Sequence, residues 1–159
     1  MNHKNSQFIP DDLFTQIVAS MPIVTTDLVL INENQNQILL FKRTNKPAKN
    51  VYFTPGGRLF KNEEFLIGIK RQGQQELGLD LDENRLSFGG VINEMWIDSE
   101  FADHSYNAIS IFWRYLISET EIDRFSLDQQ HSDFQWFDVD DDRLHPYVSQ
   151  RLSICKLRA

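Results

Sequence analysis

The sequence predicts an α/β (α+β) fold in which helices cover both faces of one mixed β-sheet. Three observations carry that prediction. Segments of strand character alternate with amphipathic helical segments in the order helix, strands, helix, strands, helix. A glycine turn, Pro55-Gly56-Gly57-Arg58, joins a short strand to the clearest helix of the chain. The 159 residues, 41% of them hydrophobic, suffice for one domain with a real core, and they contain no repeat or low-complexity linker.

Pro10 and Asp11-Asp12 open a short amphipathic helix through about Ser20, with Leu13, Phe14, Ile17 and Val18 on one stripe, and Pro22 is expected to end it. Val24 to Ile31 and Gln37 to Arg43 read as strands joined across the polar turn Asn32 to Asn36. Val51 to Thr54 is a short strand running into Pro55-Gly56-Gly57, where regular structure is expected to stop. Asn62 is the expected cap of the next helix, with Glu63 and Glu64 in its first turn, where the dipole favours negative charge. Leu66, Ile69, Gly73 and Leu77 form its core-facing stripe, and Gly78 closes it. Leu86 to Trp96, Ala108 to Ser118 and Phe134 to Asp138 read as further strands, and His145 to Leu157 as a C-terminal helix.

Composition narrows the function. With 16 Lys+Arg against 23 Asp+Glu the formal charge is −7, which disfavours nucleic acid as a partner. An anionic ligand would need local arginines or a metal to overcome that field. No apolar run reaches the roughly 18 residues of a membrane span, and the polar start lacks the apolar core of a secretion signal. Cys155 is the sole cysteine, so no intrachain disulfide is possible and a reducing cytoplasm is the expected location.

The spacing around the glycine turn carries the chemistry. Gly56 and Gly57 permit close approach of a ligand to the backbone. On the helix, Gln72, Gln75 and Glu76 share a flank. Glu76 lies beside the apolar stripe, where a carboxylate near the Gly56 turn can hold a hard divalent cation with a carbonyl and waters. Burial statistics favour the plainer alternative, a solvated helix glutamate.

The pattern Gly57-x5-Glu63-x7-Arg71-x4-Glu76-x-Gly78-Leu79 resembles the Nudix box, and the resemblance implies the Nudix fold, an α/β/α sandwich around a mixed sheet. The box has glutamate where this chain has Gln72 and Gln75, and an apolar residue at Gly73. Ordinary Nudix pyrophosphohydrolases use those glutamates to bind several magnesium ions and activate water for attack on phosphorus. Their replacement removes two charges and any basicity, so the domain is either catalytically weakened or runs different chemistry.

Four further segments point to one branch: Phe14 to Pro22 with Asp27 beyond it, Leu40 to Ala48, Tyr52 to Arg58, and Asp128-Gln129-Gln130-His131. From about Phe8 to Phe137 the chain resembles GDP-mannose mannosyl hydrolases, which cleave the sugar–oxygen bond, releasing GDP and mannose with inversion. The resemblance implies one Mg2+ per site, with Mn2+ a possible substitute, held by the Gly56 carbonyl, Glu76, Gln130 and the diphosphate. It implies that Arg43 and Arg58 bind the diphosphate and help it depart, that His131 is the base, and that Asp27 orients the substrate. Phe8 and Phe14 would stack on guanine or serve as core or dimer-contact aromatics. It also implies a homodimer, with a single domain over residues 1–159 and residues 1–22 an extension reaching the partner.

The stretch from Asn93 to Asn107 departs from the branch. Glu94 stands where a histidine is expected, and the tyrosine expected near Ala108 is missing there, although His104 and Tyr106 are close. Those family residues contact the sugar or help the leaving group depart, so the hexose is left open. Trp96 is expected to pack, and Asp138 to Asp142 to form a solvated turn. Two other functions remain open: a pyrophosphohydrolase cutting between phosphates, and a non-catalytic nucleotide-sugar sensor.

Overall fold

The computed structural model describes residues 8–101, 104–127 and 131–158, with the side chains of residues 131 and 132 outside that description. The elements are α1 (Asp11–Ser20), β1 (Ile23–Ile31), β2 (Gln37–Arg43), β3 (Tyr52–Phe53), β4 (Gly56–Arg58), α2 (Phe65–Leu77), β5 (Leu86–Trp96), β6 (Tyr106–Leu116), α3 (Glu119–Ile122), β7 (His131–Asp138) and α4 (Pro146–Ile154). Among the described residues no helix is long and apolar enough to cross a membrane.

The sheet is mixed. One edge of β1 pairs in parallel with β6 along its whole length, and β6 pairs antiparallel with β5. The other edge of β1 is divided. Leu30 and Ile31 pair with Leu39 and Ile38 of β2, whereas Thr25 to Asp27 pair with Arg58 to Gly56 of β4. Strand β2 diverges in the same way: Phe41 and Lys42 pair with β3, while β7 follows its far edge from Gln37 to Arg43. The sheet therefore forks where β1 and β2 part, and the segment β3–Pro55–β4 threads the fork.

Strands buried on both faces read as continuous apolar runs, and β1 is one. Its residues alternate between two cores. Leu28 and Leu30 join Leu39, Phe41, Ile69 and Leu77 beneath α2, whereas Val29 and Ile31 join Ile38, Phe112, Val148 and Leu152 beneath α4. This is the α/β/α sandwich.

The termini of α2 correct the sequence reading in one respect and agree with it in another. Gly78, at φ 71°, ends the helix in the left-handed conformation that suits glycine. Asn62 does not cap it: Asn62 is itself left-handed, at φ 63°, inside a turn, and Glu64 occupies the cap position in an extended conformation. Glu63 and Glu64 thus precede the first turn, and Glu63 accepts the Phe60 N–H instead (2.8 Å). Gly56 to Arg58 is also a strand, contrary to the expected break, because β2 has left that edge of β1 unpaired. Helix α1 ends at Ser20, with extended Met21 before Pro22. Helix α4 ends at Ile154, and His145 caps it by accepting the Tyr147 N–H.

Short α3 lies outside the elements that the sequence predicts, and polar contacts hold it. Glu121 receives both terminal nitrogens of Arg85 (2.6 and 2.7 Å), the Tyr115 hydroxyl (2.6 Å) and the Ser118 N–H (2.9 Å). Burial pushes its carboxyl up, but these donors outweigh burial and set its pKa at about 2, from 4.5. A depressed carboxyl contributes stability above its unfolded pKa and loses it as pH falls through the folded one. Glu121→Gln should therefore lower stability by roughly 1–2 kcal/mol at pH 7. Urea midpoints should show this deficit shrinking as pH falls from about 4.5 toward 2; a constant deficit would contradict the assignment.

Candidate functional site

The box residues fold the loop that joins β4 to α2. Arg71 reaches back across the turn to Glu63 with two nitrogens (2.6 and 2.8 Å) and to the Arg58 carbonyl (3.0 Å), and its guanidinium lies 3.6 Å from the Phe60 ring centroid. Arg71 holds the Glu63 carboxyl below the usual range. The Gly57-x5-Glu63-x7-Arg71 spacing is thus the geometry of a clamp on the loop.

Glu76 is buried, 4% exposed, which removes the solvated reading. Its Oε2 accepts the Gly56 N–H (2.9 Å), and the Gln72 amide donates to its Oε1 (2.8 Å) while accepting from Arg71 (3.2 Å). Gln75 accepts from Arg71 as well (3.0 Å). A glutamate at position 72 would oppose Glu76 unless a cation lay between them; the glutamine donates to it instead. Among the described residues no group of three or more His, Cys, Asp or Glu could hold a metal. One buried carboxylate, with N–H donors on both oxygens, does not fit a cluster of several ions; a single hard divalent cation there would draw most of its ligands from a substrate.

Gly56 is the pivot of the site. A Cβ there would lie 1.9 Å from Asp27 Oδ1 and 2.5 Å from the Thr26 carbonyl, so no other residue fits without displacing β1. Asp27 and Glu76 approach Gly56 from opposite faces of the sheet, the first from the α4 side and the second from α2.

On the α4 side lies a cavity of about 270 Å³ whose wall includes Phe14, Asp27, Arg43, Gly56, Arg58, Glu94, Trp96 and Tyr106. The Leu40 to Ala48 segment wraps its own arginine: Arg43 donates to the Pro47 carbonyl (2.8 Å) and to Asn45 (3.1 Å), which fixes the guanidinium at the cavity edge. Arg58 lies over the Phe14 and Phe60 rings (5.7 and 4.9 Å). Burial, then the charge of Arg71, lowers the Arg58 pKa, an effect that an incoming anion would reverse.

The floor was not legible in the sequence. Arg151 of α4, fully buried, donates through Nη2 to Asp27 (3.1 Å), to Glu94 and to Ser110 (2.9 Å), and through Nη1 to the Tyr147 carbonyl (3.2 Å). Ser110 also donates to Asp27, and Trp96 Nε1–H to Glu94 (3.0 Å). Trp96 packs against Phe53, His145 and Tyr147, as expected. The variant stretch 93–107 is mostly sheet at its ends, with Glu94 on β5 directly opposite Ala108 on β6. Tyr106 lines the cavity, two residues before Ala108, near which the resembled branch has a tyrosine.

The cavity therefore brings together Phe14, Asp27, Arg43, Gly56 and Arg58, with Glu76 directly behind Gly56. It does not include Phe8, which is 76% exposed. Gln130 lies outside the described residues. The backbone of His131 pairs with Arg43, and its side chain lies outside the description. An arginine in a C-terminal helix gives no sequence signal of a buried role; only the acidic residues inside apolar strands, Asp27 and Glu94, hint that a buried cation is needed.

A clamp-folded glycine turn leading into a helix with a buried glutamate, at the fork of a mixed sheet between two helical layers, defines a Nudix domain. The chain belongs to that family: the NUDIX domain family matches residues 21–153. A curated relative is the low-salt glycan biosynthesis protein Agl8 of Haloferax volcanii, 36% identical over 151 residues, 91% of this chain and 88% of that protein. Among solved structures, the MutT NUDIX hydrolase from Burkholderia pseudomallei superposes with a TM-score of 0.66 at 21% identity, over 84% of this chain and 98% of that one. The NUDIX domain of Shewanella oneidensis NrtR, complexed with ADP ribose, gives 0.59 at 16% identity, over 96% and 92%. These structural likenesses show the fold.

Proposed function

We propose that this chain hydrolyses a nucleotide sugar of the GDP-mannose type to GDP and free sugar, water attacking the anomeric carbon with inversion. The observation that carries the reading is the joint wall of one cavity: Arg43, Arg58 and a buried Asp27 meet at Gly56, backed by a Nudix box with Glu76 as its carboxylate at that glycine. Similarity to a glycan biosynthesis protein agrees with a role in sugar metabolism.

Cleavage of a glycosyl bond to a diphosphate requires neutralisation of the departing anion more than activation of phosphorus. Arg43 and Arg58 supply fixed guanidinium donors for the diphosphate, and their forked geometry matches phosphate oxygens. Glu76, with the Gly56 carbonyl and Gln130, would hold a Mg2+ ion, Mn2+ being a possible substitute; such an ion supplies charge neutralisation to the diphosphate. Asp27 orients the sugar and His131 takes the proton of the attacking water. Phe14 stands where it can cover the base or sugar. The active form is a homodimer, with Phe8 and the N-terminal extension serving the partner.

The test is hydrolysis of GDP-mannose in heavy-oxygen water with Mg2+. Label in the free sugar is the expected outcome; label in GMP or sugar phosphate would overturn the reading in favour of attack on phosphorus. Glu76→Gln should raise the Mg2+ concentration for half-maximal rate by about tenfold or more. Wild-type saturation in that variant would contradict its ligand role.

A further inference from the structure

The cavity floor carries an imbalance of charge. Asp27 and Glu94 share one guanidinium, that of Arg151, and all three are buried, at 7%, 5% and 0% exposure. Both oxygens of Glu94 act as acceptors, one toward Arg151 and the other toward Trp96, so a proton on either would displace a donor. Asp27 uses Oδ2 for Thr25, Ser110 and Arg151, while Oδ1 accepts no hydrogen bond among the described residues. That oxygen belongs to a side chain nine-tenths buried that lines the cavity. Tyr106 lines the same cavity, and its hydroxyl has no hydrogen-bond partner among the described residues.

We propose that this floor selects the sugar by charge, favouring a hexose that bears an amino group over a neutral hexose and rejecting a uronic acid; the inference rests on the nucleotide-sugar reading above. Arg43, Lys46 and Arg58 also line the cavity. With the two arginines engaged by the diphosphate, the floor itself sets two buried carboxylates against the one guanidinium of Arg151, an excess of negative charge that is costly until a cation or strong donor meets it. An ammonium on the sugar supplies that charge and donates to Asp27 Oδ1. A hydroxyl supplies only the donor. A carboxylate there would add repulsion against the two buried acids.

Two shifts agree with the charge count. Burial first, and then Asp27, holds the Glu94 carboxyl above the usual range despite Arg151, as expected for a group still short of positive charge. Burial, with Asp27 and Glu94, pushes the Tyr106 phenol up to about 12, so it stays protonated and can donate to a ring hydroxyl. The departure of Glu94 from the histidine of the resembled branch thus becomes a change of substrate class.

The experiment compares three ligands at pH 7 with saturating Mg2+: GDP-mannose, its 4-amino-4-deoxy analogue, and its C6 uronate. Each is titrated by rapid mixing against a fluorescent methylanthraniloyl-GDP bound to the full chain, and products are assayed separately. The amino analogue should displace the probe about tenfold or more better than GDP-mannose, and the uronate about tenfold or more worse. In Glu94→Gln the spread should shrink to within about threefold. A wild-type ranking that is flat or reversed overturns the proposal without reference to any variant. The expected ranking without hydrolysis leaves the selection standing and removes the hydrolase reading; hydrolysis with a flat ranking does the opposite. Failure of the probe and all three ligands to bind overturns both.

Discussion

Arg151→Met should be the most destabilising single substitution at the site, by about 3–5 kcal/mol, because it removes one partner of a buried charge cluster. The guanidinium is sealed between β1, β5 and β6, over the rings of Phe53 and Phe112 (5.0 and 5.7 Å), and it bridges the carboxylates of Asp27 and Glu94. Methionine fills much of the volume but leaves two desolvated carboxyl groups facing each other without a counter-charge. Domains of this size have only about 5–15 kcal/mol of stability in total, so the urea midpoint should fall steeply at unchanged slope. The double variant Arg151→Met, Glu94→Gln should recover part of the loss, since one of the opposed charges is gone. An Arg151→Met midpoint within experimental error of wild type would mean that the cluster is no determinant of stability.

His131→Gln should lower kcat by about 10²–10⁴ while leaving KM nearly unchanged, the pattern for loss of a general base whose residue makes little ground-state contact. The register supports this choice: strand β7 sets the backbone of His131 opposite Arg43, at the end of β2 where the arginine enters the cavity. An unperturbed imidazole titrates near pH 6.5, which suits a base at neutral pH. Wild-type turnover in His131→Gln would remove the histidine from the mechanism. A rise in KM alone would make it a binding residue.

These two expectations differ in how they could be reached. The role proposed for His131 rests on a local run of residues that resembles the mannosyl-hydrolase branch, which a chain read in one dimension can offer. Arg151 does not. It lies in a helix of weak amphipathicity, four residues past Tyr147, and its partners lie 124, 57 and 41 residues away in sequence. The misread cap at Asn62 has a related cause. Asparagine suits both a cap and a left-handed turn, and the choice was made by Glu63, which the distant Arg71 recruits. Strand β4 likewise depends on β2 leaving the edge of β1, an event that no property of the Gly56-Gly57 pair announces.

Read alone, then, the chain dictated what local periodicity and fixed spacing can dictate: the limits of β2 and β5, the stripe and glycine stop of α2, and a Nudix box reduced to Glu76. Tertiary structure decided the rest: the fork in the sheet, the crowding of Asp27 against Gly56, and the enclosure of Arg151 between two acids. Periodicity reports which side of an element is buried, whereas the pairing of buried charges depends on which elements pack against each other, and that is settled only when the layers close.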